Sequence, residues 1–263
     1  MPRSAKWAWP RLPRHTLRAT WLFFLAALAA SPARGQGGPP LITDDPGTPG
    51  PGRWEINTAF TAERDQSAWL FETPLIDINY GVGERIQLKT EIPWVVQLSD
   101  SAPNRTTIGN TLVGVKWRFL GDDSSPLAIS LYPQVEFNNS RYASRRGLAD
   151  SGVQGFLPIE IIHPIGPVSL NLELGPNFRS AESHQMVFGL AAGYHASDKL
   201  ELIGELHDVS ARSFRDNEFL FNIGFRRQLT RMYSLLFAAG RSLPGSSNQE
   251  PRFVVYAGMQ LNF

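Results

Sequence analysis

The residue types most suggestive of covalent chemistry lie in the stretch LHDVSAR, where His207 precedes Ser210 by three positions. A hydroxyl nucleophile needs a general base beside it and a third group to orient that base, a role open to Glu205. Residues three apart on a strand point to opposite faces, so His207 and Ser210 meet only where the strand ends or bulges. The pattern keeps a Ser/His hydrolase as a minor alternative and predicts no catalytic residue.

Other site chemistries find little support in the composition. The chain has no cysteine, which excludes disulfides and thiolate metal sites. His163, His184 and His195 stand near predicted turns or loops without metal-ligand spacing. A formal net charge of +1 and the absence of a glycine-rich phosphate loop argue against nucleic-acid and nucleotide binding. We therefore expect no metal, no cofactor and no nucleic-acid partner.

The elements that carry these residues follow a period of two. In VSLNLELG, apolar side chains alternate with polar ones: Val168, Leu170, Leu172 and Leu174 oppose Ser169, Asn171, Glu173 and Gly175. Many such runs reach about ten residues, the length with which a tilted strand crosses a bilayer. About twelve runs lie near 53–62, 68–80, 84–98, 108–120, 127–138, 153–163, 167–178, 186–196, 199–209, 217–228, 231–242 and 252–263.

The links between the runs fall into two classes. Short turns such as 81–84 and 164–166 alternate with longer polar links such as 99–107 and 139–152. Outer-membrane barrels have short periplasmic turns and long external loops, whereas a soluble sandwich has no reason to sort its loops. The sequence thus predicts an all-β fold, a single antiparallel transmembrane β-barrel of about twelve strands.

If the apolar faces contact lipid, the opposite faces line the lumen. The interior is then polar, as a water-filled channel or as ion pairs that plug the bore, and both alternatives stay open. Charges of both signs occur there, so no net sign indicates selection of anions or cations. The predicted lumen-lining residues are Glu55, Asp77, Lys89, Glu91, Lys116, Arg118, Glu136, Glu160, Glu173, Glu201, Glu205 and Arg226.

The N-terminal part divides into two segments ahead of the barrel at 53–263. Residues 1–35 have a basic start, a short apolar run and small residues, the pattern of a cleaved signal peptide. Residues 36–52 form a Pro/Gly-rich leader, expected in the periplasm. Asp44 and Asp45 in this leader are expected to form a turn, and insertion into the lumen or capping of its mouth is an additional possibility.

The segment YAGMQLNF keeps strand periodicity to Phe263. In a closed barrel this strand pairs with the first, which leaves no open edge. Tyr256, Gly258, Leu261 and Phe263 also resemble the C-terminal signal that outer-membrane barrels present to the barrel-assembly machinery. We therefore expect that machinery to be a partner.

Three stretches resemble the outer-membrane channel family named MetA-pathway of phenol degradation: PLITDDPGTPGPGRWEI, LIDINYGVGERIQLKTEIP and GNTLVGVKWRFL. In the last of these, Asn110 and Trp117 replace the Asp and Tyr usual in that family. The resemblance implies a porin-like barrel and transport of small molecules, hydrophobic or aromatic ones among them. It supplies no agreed substrate and no mapped site.

The expected location is the bacterial outer membrane, with its lipids as surroundings. The external loop at 139–152 carries Arg141, Arg145 and Arg146 around Tyr142, a set suited to the phosphates of lipopolysaccharide, although a merely solvated loop explains it as well. The sequence predicts a passive, non-enzymatic channel for small molecules, and the alternative is a structural barrel with a plugged lumen.

Overall fold

The chain forms a closed antiparallel β-barrel of twelve wall positions, as the sequence predicts. The computed structural model describes residues 38–211, 217–243 and 253–263, so the predicted signal peptide lies outside the described residues. The strands are β1 (Trp54–Arg64), β2 (Ala68–Val82), β3 (Ile86–Ser99), β4 (Arg105–Ile108), β5 (Thr111–Leu120), β6 (Ala128–Leu131), β7 (Gln134–Phe137), β8 (Val153–Phe156), β9 (Ile159–Ile165), β10 (Val168–Arg179), β11 (Gln185–Ser197), β12 (Leu200–Ala211), β13 (Asn217–Gln228), β14 (Tyr233–Ser242) and β15 (Phe253–Asn262).

Three wall positions consist of two consecutive strands each: β4 with β5, β6 with β7, and β8 with β9. Two of the breaks precede Pro133 and Pro158, which have no N–H for the ladder. The wall stays paired across them, because Tyr132 donates its N–H to the Pro158 carbonyl (3.1 Å) and Leu157 donates to the Pro176 carbonyl (3.1 Å). The interruptions therefore leave the barrel wall closed at these positions.

The first and last strands join in register. Glu55 pairs with Asn262, and the pairing runs without a shift to Arg64 and Phe253. Beyond it, Trp54 and Phe263 exchange N–H to carbonyl bonds of 2.9 and 3.1 Å. The expected pairing of the last strand with the first is confirmed.

Burial is inverted relative to a soluble protein. Trp94 and Ile223 are 47% and 57% exposed on the outer face, whereas Lys116 and Glu160 are 1% and 0% exposed inside. Soluble proteins almost never bury charged side chains while exposing large apolar ones. The outer face suits acyl chains, and all strands of the described residues belong to one sheet, with no second sheet packed against it.

The links sort to the two ends of the barrel, which we name the turn side and the loop side. The turn side carries the links 83–85, 121–127, 166–167, 198–199 and 229–232. Exposed aromatic side chains mark the turn-side ends of the strands, as at a membrane interface: Trp54, Trp117, Phe119, Tyr194, Tyr233 and Phe263.

The link 138–152 on the loop side contains one short helix, α1 (Arg141–Arg145), whose N-cap Ser140 accepts a hydrogen bond from the Tyr142 N–H. Ala143 and Leu148 are buried against Val95 of the barrel wall. This link is therefore anchored on the wall rather than extended. No helix among the described residues has the length and apolar character required to cross a membrane.

Candidate functional site: a leader-filled lumen

The leader occupies the lumen. Leu41, Thr43 and Asp45 are 6%, 0% and 5% exposed, and Leu41 packs against Ala191 and Ile203 of the inner wall. The remote contacts described below hold residues 38–45 inside the barrel. The sequence predicted a turn at Asp44 and Asp45 and gave insertion into the lumen or capping of its mouth only as further possibilities.

One wall binds the leader main chain through carboxylates. Glu205 on β12 accepts the N–H groups of Ile42 (3.0 Å) and Thr43 (2.8 Å), and Glu173 on β10 accepts the N–H of Asp44 (2.5 Å). Asn222 on β13 also donates to Glu205, at 2.6 Å. The carboxylates thereby satisfy leader N–H groups that have no strand partner.

Arg226 on β13 binds the leader carbonyls. Its guanidinium donates to the carbonyl oxygens of Pro39 (3.0 Å) and Gly38 (2.7 Å), and its Nη1 lies 3.0 Å from the carboxylate of Glu201. The planar guanidinium has several donors in a fixed arrangement, so a single side chain can hold two successive carbonyls and an acid.

Lys116 on β5 holds the leader from the other wall. Its Nζ lies 2.9 Å from the Asp44 carboxylate and 3.5 Å from that of Glu160, and it donates to the Asp45 carbonyl. It also lies 4.6 Å from the centre of the Tyr132 ring. Burying an ammonium this deeply is favourable only with several such partners.

Asp44 also shows the electrostatic effect of this site. Burial tends to raise the pKa of its carboxyl, but the positive charges of Lys116 and Lys89 outweigh that effect and hold the pKa below its ordinary value of 3.8. The expected turn is present as well: Asp45 accepts the N–H of Gly47 at 2.6 Å. The two aspartates therefore form a turn within the lumen.

Gly189 on the inner wall leaves room for the leader because glycine has no side chain. A Cβ added at Gly189 on β11 would lie 2.4 Å from the Thr43 hydroxyl oxygen and 3.0 Å from its Cβ. Any larger residue at this position would press on the leader.

Among the described residues, one cavity lies on each side of the leader. The larger, about 420 Å3, lies on the loop side of the leader and has Pro40, Leu41 and Ile42 in its floor. The smaller, about 50 Å3, lies on the turn side and is lined by Glu55, among others. We name them the loop-side cavity and the turn-side cavity.

The remaining predicted lumen residues also lie inside. Lys89 pairs with Asp77 (3.6 Å) and Glu91 (3.2 Å), and Glu136 accepts from the Asn110 amide at 2.6 Å. Arg118 is buried near the turn side, where it pairs with Asp123 and donates to the Glu84 carbonyl. The members that line the loop-side cavity are Asp77, Lys89, Glu91, Glu136 and Glu173.

Sequence reasoning missed two acids of the loop-side cavity, Glu63 and Glu72. Glu63 lies just beyond the predicted run 53–62. Strict alternation from Asp77 would turn Glu72 outward, but the pairing shifts between Glu72 and Leu75 and brings it inside. Pro74 within the strand was the available signal, because proline in a strand marks an edge or a bulge.

The Ser/His arrangement that the sequence left as a minor alternative does not form. His207 lines the loop-side cavity, and β12 pairs with β13 without a register shift, so Ser210 lies on the opposite face. The Ser210 hydroxyl donates instead to Asp208 at 2.6 Å. The described residues contain no group of His, Asp and Glu side chains arranged to hold a metal ion.

The residues of the proposed assembly signal lie on β15 and directly after it. The Tyr256 side chain lines the loop-side cavity, and a Cβ at Gly258 would meet the Tyr256 ring at 2.7 Å. Leu261 pairs with Ile56, and Phe263 is 53% exposed. In the 138–152 link, Arg141, Arg145 and Arg146 are exposed, and the Arg146 guanidinium stacks 4.7 Å from the Tyr142 ring.

Several solved structures with a similar fold are outer-membrane channels. The COG4313 outer-membrane channel from Pseudomonas putida F1 superimposes with a TM-score of 0.63 at 12% identity, over 87% of this chain and 100% of that one. The KdgM porin in complex with disordered oligogalacturonate gives 0.57 at 12% identity, over 80% and 99%. The NanC porin gives 0.57 at 7% identity, over 79% and 98%. No family model and no curated protein matches the sequence.

Proposed function

We propose that the protein is a passive channel of the bacterial outer membrane for small solutes, in which the leader is the constriction. The observation that carries this proposal is the polar lumen, which the leader fills only in part: about 420 Å3 remains on its loop side. A lumen with a purely structural role would not require a cavity of this size. The fold shared with outer-membrane channels supports the same conclusion.

In this proposal the turn side faces the periplasm, as in other outer-membrane barrels. The signal peptide predicted at 1–35 would deliver the chain there, and the segment ending at Phe263 would engage the assembly machinery. The exposed arginines of the 138–152 link would then face lipopolysaccharide.

The solute class is the finer part of the proposal. Apolar side chains of Leu75, Leu112 and Phe156 share the loop-side cavity with polar groups, and the resemblance to the MetA-pathway family favours small molecules with hydrophobic or aromatic parts. The KdgM porin has been crystallised with the anionic sugar oligogalacturonate. The acids that line this cavity argue against a similar solute here, because like charges repel.

A second candidate function is a structural barrel with a permanently plugged lumen. The contacts of Lys116 and Arg226 with the leader favour it, since buried pairs of this kind are costly to break. The two functions differ in whether the leader leaves its site.

A reversible tether distinguishes them. The chain has no cysteine, and a Cβ at Gly189 would lie 3.0 Å from that of Thr43, about 0.5 Å below the lower limit for a disulfide, so the bond requires a small outward shift of the leader. We expect liposomes with Thr43→Cys/Gly189→Cys protein to swell slowly in arabinose when oxidised and faster when reduced, with Thr43→Cys alone as the control for the oxidant. If reduced and wild-type proteins swell liposomes no faster than protein-free membranes do, the channel proposal is wrong.

A further inference from the structure

The loop-side cavity has an excess of acidic side chains, although the charges predicted for the whole lumen have no such clear sign. Among the described residues, seven carboxyl side chains and one amino group line it. The structure separates the signs: Lys116 and Arg226 bind the leader, and Lys89 is left with the acids. The acids that line the cavity are Asp44, Glu63, Glu72, Asp77, Glu91, Glu136 and Glu173.

Three of these acids have an ionic partner within the described part of the chain, and two others, Glu72 and Glu136, have none there. Asp44 pairs with Lys116, while Asp77 and Glu91 share Lys89. Across the described residues, no Lys or Arg nitrogen lies within 4 Å of the Glu72 or Glu136 carboxylate; Glu72 accepts only from the Thr61 hydroxyl (3.0 Å).

The acids of the cavity lie close enough together to affect one another. Glu63, Glu72, Glu91 and Glu136 line the same enclosed space, where like charges repel one another. Carboxylates crowded in this way cannot all remain ionised unless a cation compensates them. The carboxyl groups in the cavity therefore outnumber the cationic groups that its walls supply.

A second observation points to a ligand at the same place. His207 is 7% exposed and lines the cavity, and its ring makes no hydrogen bond to any residue within 38–211, 217–243 and 253–263. The buried hydroxyl of Tyr256, also in the lining, has no hydrogen-bond partner among those residues either. A neutral imidazole and a phenol both offer acceptors to an N–H donor, and the phenol ring attracts cations.

Apolar side chains complete the lining. Leu75, Phe156, Val187 and Val254 lie around the same space as the acids. A hydrated metal ion would gain nothing from them, whereas an organic cation places its charged group among the carboxylates and its apolar body against these side chains.

We infer that the loop-side cavity binds organic cations that carry N–H donors and an apolar or aromatic body. This inference rests on the proposed channel function and names its solute class. Benzamidinium is a suitable probe, because it combines a planar N–H-rich cation with an aromatic ring. Benzenesulfonate is its anionic counterpart.

The binding test uses calorimetry on the full chain in detergent. We expect benzamidinium to bind and benzenesulfonate not to bind. Glu72→Gln/Glu136→Gln should weaken benzamidinium binding by about tenfold, because it removes two attractive charges. These positions suit the test, since neither acid forms an ion pair with another described residue and glutamine can still accept from Thr61 and Asn110.

Glu84→Gln is the matched control, because this exposed acid lies in the β2–β3 turn outside the cavity. It should leave the affinity unchanged. Heat-modified migration in gels verifies that each variant is folded, and the single variant Glu136→Gln serves if the double variant does not fold. Equal affinities for benzamidinium and benzenesulfonate, or equal effects of the cavity and control variants, would overturn the inference.

A transport measurement separates this inference from the channel function. Liposomes containing the reduced Thr43→Cys/Gly189→Cys protein are exposed to arabinose, benzamidinium and benzenesulfonate in turn. Faster entry of benzamidinium than of benzenesulfonate supports the inference. Entry of arabinose without preference for the cation overturns the inference and leaves the channel standing, whereas entry of none of the three overturns the channel.

Discussion

The Lys116 ammonium lies 2.9 Å from the Asp44 carboxylate, a contact between residues 72 positions apart that joins a barrel wall to the leader. Both groups are enclosed, and Glu160 lies 3.5 Å from the same ammonium. Removing the ammonium would therefore leave two acids in the lumen without their cation.

We expect Lys116→Met to weaken leader docking by about 3 kcal/mol, the cost of breaking a buried ion pair. Thr43→Cys reports docking, since this position is fully buried in a chain that has no cysteine. Maleimide should label Thr43→Cys at least about tenfold faster when Lys116→Met is also present. Lys199→Met, in an exposed turn, should not change the rate. Equal rates in the two backgrounds would mean that Lys116 does not hold the leader.

Gly189→Val should displace the leader by steric overlap with Thr43 while the barrel stays folded. We expect faster labelling of Thr43→Cys and a higher conductance in planar bilayers. Gly204→Ala is the control, because a Cβ there meets its nearest atom at 3.4 Å, an ordinary contact. A Gly189→Val protein with wild-type conductance and labelling would contradict the close fit of the leader.

Ile223→Lys tests the lipid-facing surface. Ile223 lies near the middle of β13 with 57% of its surface exposed. A lysine at the bilayer midplane should lower the free energy of unfolding by about 2–4 kcal/mol, measured by urea titration in liposomes. Leu229→Lys, beyond the turn-side end of the same strand, should cost about 0–1 kcal/mol. The lipid assignment fails if both variants are as stable as the wild type.

Phe263→Ala should reduce the amount of barrel assembled in cells more than it reduces stability. The two backbone bonds to Trp54 do not need the ring, and the ring is half exposed, so we expect less than about 1 kcal/mol of change in vitro. Membrane fractions report the cellular level. Met259→Ala, another outward position on β15, is the control. Equal cellular levels of both variants would argue against a signal role for Phe263.

Asp122→Asn should lower the free energy of unfolding only at pH values at which Asp122 is ionised. Hydrogen bonds from the Ser124 side chain and N–H, and then from Ser125, lower the pKa of Asp122 from 3.8 to about 2. A lowered pKa stabilises the folded state above pH 3.8, and the effect is lost as the pH falls through about 2. Urea titrations should therefore separate wild type from Asp122→Asn at pH 5 and show no difference below pH 2. A difference independent of pH would exclude this origin.

The barrel strands could be predicted from the sequence because the alternation of polar and apolar residues is a local property. The run at 167–178 and the strand Val168–Arg179 differ by one residue at each end. The breaks before Pro133 and Pro158 were not predicted, because alternation continues through them and only the missing N–H groups mark them.

The contents of the lumen could be predicted only in part. Each inward acid could be identified on its own strand, but the position of the leader depends on contacts such as that between Thr43 and Glu205, 162 positions apart. The charge imbalance of the loop-side cavity follows from that position, because the leader engages Lys116 and Arg226. Strand periodicity contains no information on such remote pairings.

The walls recognise the leader chiefly by its peptide groups. Glu205 and Glu173 receive its amides, and Arg226 receives its carbonyls, whatever side chains those residues carry. Binding therefore requires particular side chains on the barrel wall but few particular side chains on the leader. We expect a leader with other side chains to bind in the same place if it keeps Thr43, Asp44 and the backbone path. Reporter groups can then be introduced into the leader without changes to the barrel.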